Sequence, residues 1–265
     1  MIKRNRFNSK ITLAIFAIFS LKINFLQAQS SILKLNLSSL AIKSYTAQYE
    51  KVIGKRISFA LGGGYRPMSL VPFPTETANL TTFVDNRIDY ISLDNTRPKE
   101  SKVKGYHITP EIRFYFGQKE APYGFYLSAF ARYYHVNAII PVEMELEYQG
   151  FPVLLKLPVD TKVNATSIGL MIGKQFKLTK RLTFDWYIAG PHIGKFNLHG
   201  ESQQDLSNFD DDFQNRLRRK VVDSFKIDEK TFGVVVDDNG IKMDALRKLP
   251  FVNLRAFGFN LGYRF

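Results

Sequence analysis

Beyond residue 29, hydrophobic and polar residues alternate along most of the chain with a period of two. Leu33, Leu35 and Leu37 alternate with Lys34, Asn36 and Ser38, and Tyr45, Ala47 and Tyr49 with Thr46, Gln48 and Glu50. After a Gly54-Lys55 turn, Ile57, Phe59, Leu61 and Tyr65 alternate with Ser58, Ala60, Gly62 and Gly64. Tyr106, Ile108, Ile112, Phe114 and Phe116 are set against His107, Thr109, Glu111, Arg113 and Tyr115. In 124–136, Phe125, Leu127, Ala129, Ala131 and Tyr133 oppose Tyr126, Ser128, Phe130, Arg132 and Tyr134. The pattern recurs over 163–176, over 181–190, and in Phe257, Phe259, Leu261, Tyr263 and Phe265 against Ala256, Gly258, Asn260, Gly262 and Arg264. Successive side chains of a strand point to opposite faces, so this period predicts eight strands, each with one apolar face.

The links between them discriminate among all-β architectures. Those over 53–56, 117–123 and 177–180 are short, whereas 66–103, 137–162 and 191–250 are long and hold about half of the chain beyond residue 28. Outer-membrane barrels sort their connections in this way, short turns on the periplasmic side and long loops outside. Six of the seven links obey; the first, 40–44, is short where a loop is due. The fold class predicted is all-β, an eight-stranded antiparallel transmembrane β-barrel with long extracellular loops. Aromatic residues cluster at the ends of the apolar faces, as membrane-interface girdles do. Arg255, one position beyond the last apolar set, is expected at the outer interface.

Residues 1–28 read as an export signal. Lys3, Arg4, Arg6 and Lys10 precede an apolar run, Ile11–Leu21, and a polar stretch ends at Ala28. Eleven residues span about 16 Å as a helix, half a bilayer, which suits a signal and not a membrane span. The remaining 29–265 form one domain. The net charge of +13 invites a nucleic-acid reading. Removing 1–28 takes away five bases and no acid, however, and leaves +8 scattered beside many acids. No nucleic-acid partner is expected. The chain has no cysteine, which excludes disulfide scaffolds, Cys-ligated metals, thiol nucleophiles and a lipidated N-terminal Cys.

The signal, the eight alternating strands and the final Tyr263-Arg264-Phe265 resemble the small outer-membrane barrels of Gram-negative bacteria, the OmpA/OmpX type. Pro110-Glu111-Ile112-Arg113-Phe114-Tyr115-Phe116-Gly117, Gly124-Phe125-Tyr126-Leu127 and Ala131-Arg132-Tyr133-Tyr134 look like a subfamily of such barrels known only as a domain of unknown function. The resemblance implies location in a Gram-negative outer membrane, contact with its lipid and lipopolysaccharide, and assembly by the barrel-assembly machinery. It also implies that Tyr263 and Phe265 serve as the assembly signal, although Asn260 stands where that signal usually has Gly. It implies no reaction and no cofactor.

The polar faces bring Glu50, His107, Glu111, Arg113, Arg132, Asp185 and Arg264 to the predicted lumen. An eight-stranded interior is only wide enough for side chains, so these residues are expected to pair as a structural plug; Gly62 and Gly64 would make room for Tyr126 or Arg132. The histidines, His107, His135, His192 and His199, show no metal-ligand spacing. His135, His192 and His199, with Ser202 and Asp205, fall near the outer rim, where a lipid hydrolase or acyltransferase would place such groups, but no Gly-x-Ser-x-Gly accompanies them. Val142–Tyr148 and Val153–Val159 predict a hairpin above the membrane with a Glu143/Glu145/Glu147 stripe, either a solvated face countered by Lys156 and Lys162 or a divalent-cation site. Phe213, Leu217 and Val221 predict a short helix capping the barrel mouth. The function expected is that of a non-enzymatic envelope barrel, structural or binding an extracellular or envelope protein through its loops. A narrow pore and a rim lipid enzyme are the alternatives.

Overall fold

A computed structural model of the chain describes residues 30–72 and 99–265. Residues 1–28, which read as an export signal, and most of the long link 66–103 lie outside the described residues.

Among the described residues ten strands pair antiparallel in one sheet. They are β1 (Ser31–Asn36), β2 (Tyr45–Val52), β3 (Ile57–Leu70), β4 (Lys102–Phe116), β5 (Gly124–Tyr148), β6 (Phe151–Lys177), β7 (Leu182–Gln203), β8 (Phe232–Asp237), β9 (Gly240–Ala245) and β10 (Leu249–Arg264). Strands β1 to β7 pair in sequence, and β10 pairs with both β7 and β1, closing a ring of eight. The first link is short because Asn36 caps a helix, Leu37–Ala41, accepting from the Ser39 N–H at 2.7 Å.

The alternation decides which way each side chain points. Leu33 and Leu35 are outward and exposed while Ile32, Lys34 and Asn36 are buried inside, and the same parity holds around the ring. It breaks in three places, the first a register shift between Arg66 and Ser69 where β3 pairs with β4. A bulge between Ile172 and Gly173 shifts the β6–β7 register. On β10, Gly258 and Arg255 both face inward although three residues apart, so strict alternation ends at Gly258. Arg255 is therefore not at the outer interface; it enters the ring. Glycine placement also differs from expectation. A Cβ on Gly64 would lie 2.2 Å from the His107 ring, so Gly64 accommodates His107, and the residue that makes room for Tyr126 is Gly173.

Two of the links expected to be loops are largely regular structure. Strands β5, β6 and β7 overrun the ring, and β5 and β6 remain paired as far as the Gln149-Gly150 turn. Both turn residues have positive φ, as a type I′ hairpin demands. Where β10 leaves β7, β9 takes its place along His199–Gln203, and β8 pairs with β9. The resulting outer sheet, β5-β6-β7-β9-β8, carries the helix Asp211–Ser224 on one face. Phe213, Leu217 and Val221 of that helix are buried among Val142, Leu157, Phe232 and Ile241. The helix thus covers the outer sheet, for the simple reason that the sheet offers it an apolar face. Asp210 caps it, accepting from the Phe213 N–H at 2.8 Å.

Candidate functional site

All eight strands of the ring send a polar side chain to one buried cluster. Lys34 on β1 places Nζ 2.5 Å from Glu50 Oε2 (β2) and 2.6 Å from Asp185 Oδ2 (β7), and donates to Gln175 Oε1 (β6) at 2.6 Å. Arg113 on β4 binds Asp185 Oδ2 at 2.8 Å, Glu111 Oε2 at 2.9 Å and Gln48 Oε1 at 2.9 Å. Arg255 on β10 binds Glu111 Oε1 at 2.6 Å. Ser58 (β3) and Tyr115 donate to Glu50 Oε1 at 2.5 and 2.6 Å, and Tyr126 (β5) donates to Asp185 Oδ1 at 2.8 Å. Asn260 donates to Asp185 and accepts from Asn36, so it fills the interior where Gly would leave a gap.

Three carboxylates, Glu50, Glu111 and Asp185, face three cations, Lys34, Arg113 and Arg255, and the cluster is neutral. Burying a charge is costly unless it is paired and its remaining hydrogen-bonding capacity is met. Every carboxylate oxygen here has a donor, and the Arg113 guanidinium also lies 4.5 Å from the centre of the Tyr126 ring. The chemistry of this arrangement is cross-bracing, because its lone pairs are already engaged.

Of the seven residues expected in the interior network, the structure brings together Glu50, Glu111, Arg113 and Asp185. His107 and Arg132 lie further out and bind none of these carboxylates. Arg264 is at the opposite end, donating to Tyr123 Oη at 3.0 Å. Sequence reasoning missed Lys34 and Arg255 as members. Lys34 carries a legible signal, a cation of opposite parity to Leu33 and Leu35; Arg255 carries none, because its parity depends on the irregularity above Gly258.

The rim residues do not converge. His135 is outward on β5, bonded to Asn164. His192 is buried in the ring, ten residues and about 33 Å along β7 from Ser202. Ser202 faces the helix side of the outer sheet, whereas His199 lies on the other face with Asp244 at 2.6 Å and Glu201 at 3.5 Å. The hydrogen bond to Asp244 raises the His199 pKa, and Glu201 is lowered by its bond from Lys162 at 3.3 Å. Asp205 is occupied by Ser207. Along the carboxylate stripe Lys156 is the cross-strand partner of Glu143, while Lys162 serves Glu201 instead.

No curated protein matches the chain. Residues 12–195 match the family described as Protein of unknown function (DUF3575), a stretch that takes in β1 to β6 and most of β7 and so contributes every strand of the polar cluster except β10. The chain belongs to that family.

Proposed function

We propose that this protein is an exported outer-membrane β-barrel of the OmpA/OmpX type, its lumen plugged by the neutral cluster, and that it acts on the cell surface by binding a partner through its outer sheet and helix. The observation that carries the reading is inversion: charge is inside and grease is outside. Leu35, Leu61, Ile112, Leu127, Leu170 and Leu261, from six different ring strands, are all exposed. Continuous apolar surface on this scale is far larger than soluble monomers tolerate.

The dimensions agree with a bilayer. Outward residues Tyr106 to Phe116 on β4 cover about 33 Å of strand, which at a tilt near 40° rises about 25 Å, the height of an outer-membrane apolar band. Aromatic residues border this band on both sides. Tyr45, Tyr65 and Tyr106 are direct cross-strand neighbours at one edge. At the other, Phe116 pairs with Phe125, and Phe184 stacks on Phe259 at 5.6 Å. By this reading the outer module, β8, β9 and the upper parts of β5 to β7, stands in the medium.

The test is fractionation of cells together with gel mobility of the refolded chain before and after heating. Recovery in the outer-membrane fraction and a heat-modifiable shift are expected. Recovery as a soluble periplasmic protein would overturn the reading. In planar bilayers the plugged lumen should be silent, and steady single-channel conductance would overturn the plug. For the partner, native-membrane pull-down with the intact chain should lose its specific product when the outer module is cut away by protease.

A further inference from the structure

Above the neutral cluster, the ring interior becomes basic. Arg66, His107, Arg132, Tyr134, His192 and Arg255 line a cavity of about 370 Å³ beside the short β1–β2 link, and among the described residues no Asp or Glu lines it. Arg255 is balanced by Glu111. Arg132 is not balanced: among the described residues it makes no ion pair, and its Nε is shielded from solvent without a hydrogen-bond partner. Its guanidinium rests 5.8 Å from the centre of the Tyr134 ring. His192 is 5% exposed, and its Nδ1 is likewise buried and unpartnered. The His192 ring is held edge-on between Phe130 and Phe251, at 5.8 and 5.9 Å, so packing and not hydrogen bonding sets its position.

A partly buried cation without an ion-pair partner, beside a buried imidazole whose Nδ1 is unpartnered, is unfavourable by itself, and a negatively charged acceptor satisfies both. We infer that this cavity is a binding site for a phosphate-class oxyanion, received by Arg132 and His192 with Arg255 beside them. A guanidinium presents the planar fork that phosphate oxygens match, and a low-dielectric wall strengthens the attraction. The volume exceeds that of one phosphate ion, so the group fits as the head of a larger molecule, either a free phosphorylated solute or a lipopolysaccharide phosphate. The inference rests on the reading of this end of the ring as its outer mouth.

The test uses the whole mature chain refolded in detergent, titrated with inorganic phosphate and followed by ³¹P NMR and calorimetry. Saturable one-to-one binding is expected, weakening as sodium chloride is raised. Arg132→Gln should raise the half-saturating concentration by about tenfold or more, given what truncating one partner of a buried charge pair costs. Arg132→Lys should fall between it and the wild type, and His192→Gln should weaken binding while leaving the ring intact. A second arm adds vesicles of phosphatidylcholine with or without lipopolysaccharide. Displacement of phosphate only by lipopolysaccharide assigns the site to the lipid phosphate, and no displacement assigns it to a solute. A heat-modifiable chain that binds neither, or an Arg132→Gln variant that binds as the wild type does, overturns the inference. Loss of the heat-modifiable shift itself counts against the barrel reading, separately from the site.

Discussion

Arg113 Nη1 stands 2.8 Å from Asp185 Oδ2, a bond that crosses the ring interior from β4 to β7. Arg113 also holds Glu111, and Glu50 more distantly at 3.4 Å. Replacing it with Met leaves three buried carboxylates facing two cations. Breaking a buried pair from one side costs about 3–5 kcal/mol. Arg113→Met should therefore lower the unfolding free energy of the refolded protein by that order in urea titrations, read through the single Trp186, which neighbours Asp185 on β7. Arg113→Lys keeps the charge but loses the fork that reaches both Glu111 and Asp185, and should recover only part of the loss.

The outer module has an apolar core of its own. Leu217 is fully buried beneath the helix Asp211–Ser224. Leu217→Ala should destabilise that module by about 2–5 kcal/mol through lost burial and the cavity left behind. Because the cluster in the ring shares no residue with this core, the heat-modifiable shift should survive. Limited proteolysis should cut within 204–231 far faster than in the wild type. Loss of both together would mean that ring and module fold as one unit.

Much of this organisation is legible from parity. Glu50, Glu111, Arg113 and Asp185 sit on faces opposite regular apolar sets, and all four meet inside. Lys34 carries the same signal, a base of opposite parity to Leu33 and Leu35, although carboxylates, arginines and histidines alone do not point to a lysine as the centre of the network. Arg255 was not legible: a single irregular step above Gly258 reverses every side chain beyond it, and a local break in pairing leaves no mark in composition. The hairpin at Gln149-Gly150 and the helix of Phe213, Leu217 and Val221 follow from their periods. The β8–β9 hairpin falls within the stretch 191–250 that reads as a loop, although Asp238-Asn239-Gly240 after three valines is a turn signal. The sequence places Arg132 in the interior network and His192 near the outer rim, but no sequence rule reveals that a cation lacks a partner.

His199 lies beyond the apolar band, on the part of β7 paired with β9, and its environment makes that pairing sensitive to pH. Asp244 holds its Nδ1 at 2.6 Å, Glu201 lies on the same face, and Lys162 opposes it from β6. The Asp244 hydrogen bond raises the folded pKa above the ordinary value of 6.5. Stability from this group is therefore fully present below about pH 6.5 and is lost as the pH rises through the folded value. Asp244 is well exposed, so the effect is small and falls with salt. Hydrogen exchange in β8 and β9, corrected for its intrinsic pH dependence, should show weaker protection at pH 8 than at pH 6. His199→Gln should flatten the difference.

Leu170 offers the sharpest test of what surrounds the ring. It is outward and 54% exposed, and its register neighbour Ala129 pairs in turn with Ile112, midway between the aromatic borders at Tyr106 and Phe116. On a water-facing surface, Leu→Arg changes stability by about 0.5 kcal/mol or less. At the midplane of a bilayer the same change costs about 2–4 kcal/mol and fades towards the interfaces. Leu170→Arg should accordingly lower the unfolding free energy of the chain folded into lipid vesicles, measured by urea titration, by that larger amount. A charge is already accommodated at Lys174, whose Nζ lies 4.5 Å from the centre of the Phe125 ring at the aromatic border. Leu127→Arg, two residues from that border partner, should cost less than Leu170→Arg if depth in lipid sets the cost. Equal and small costs at both positions would mean that water, not lipid, meets this face.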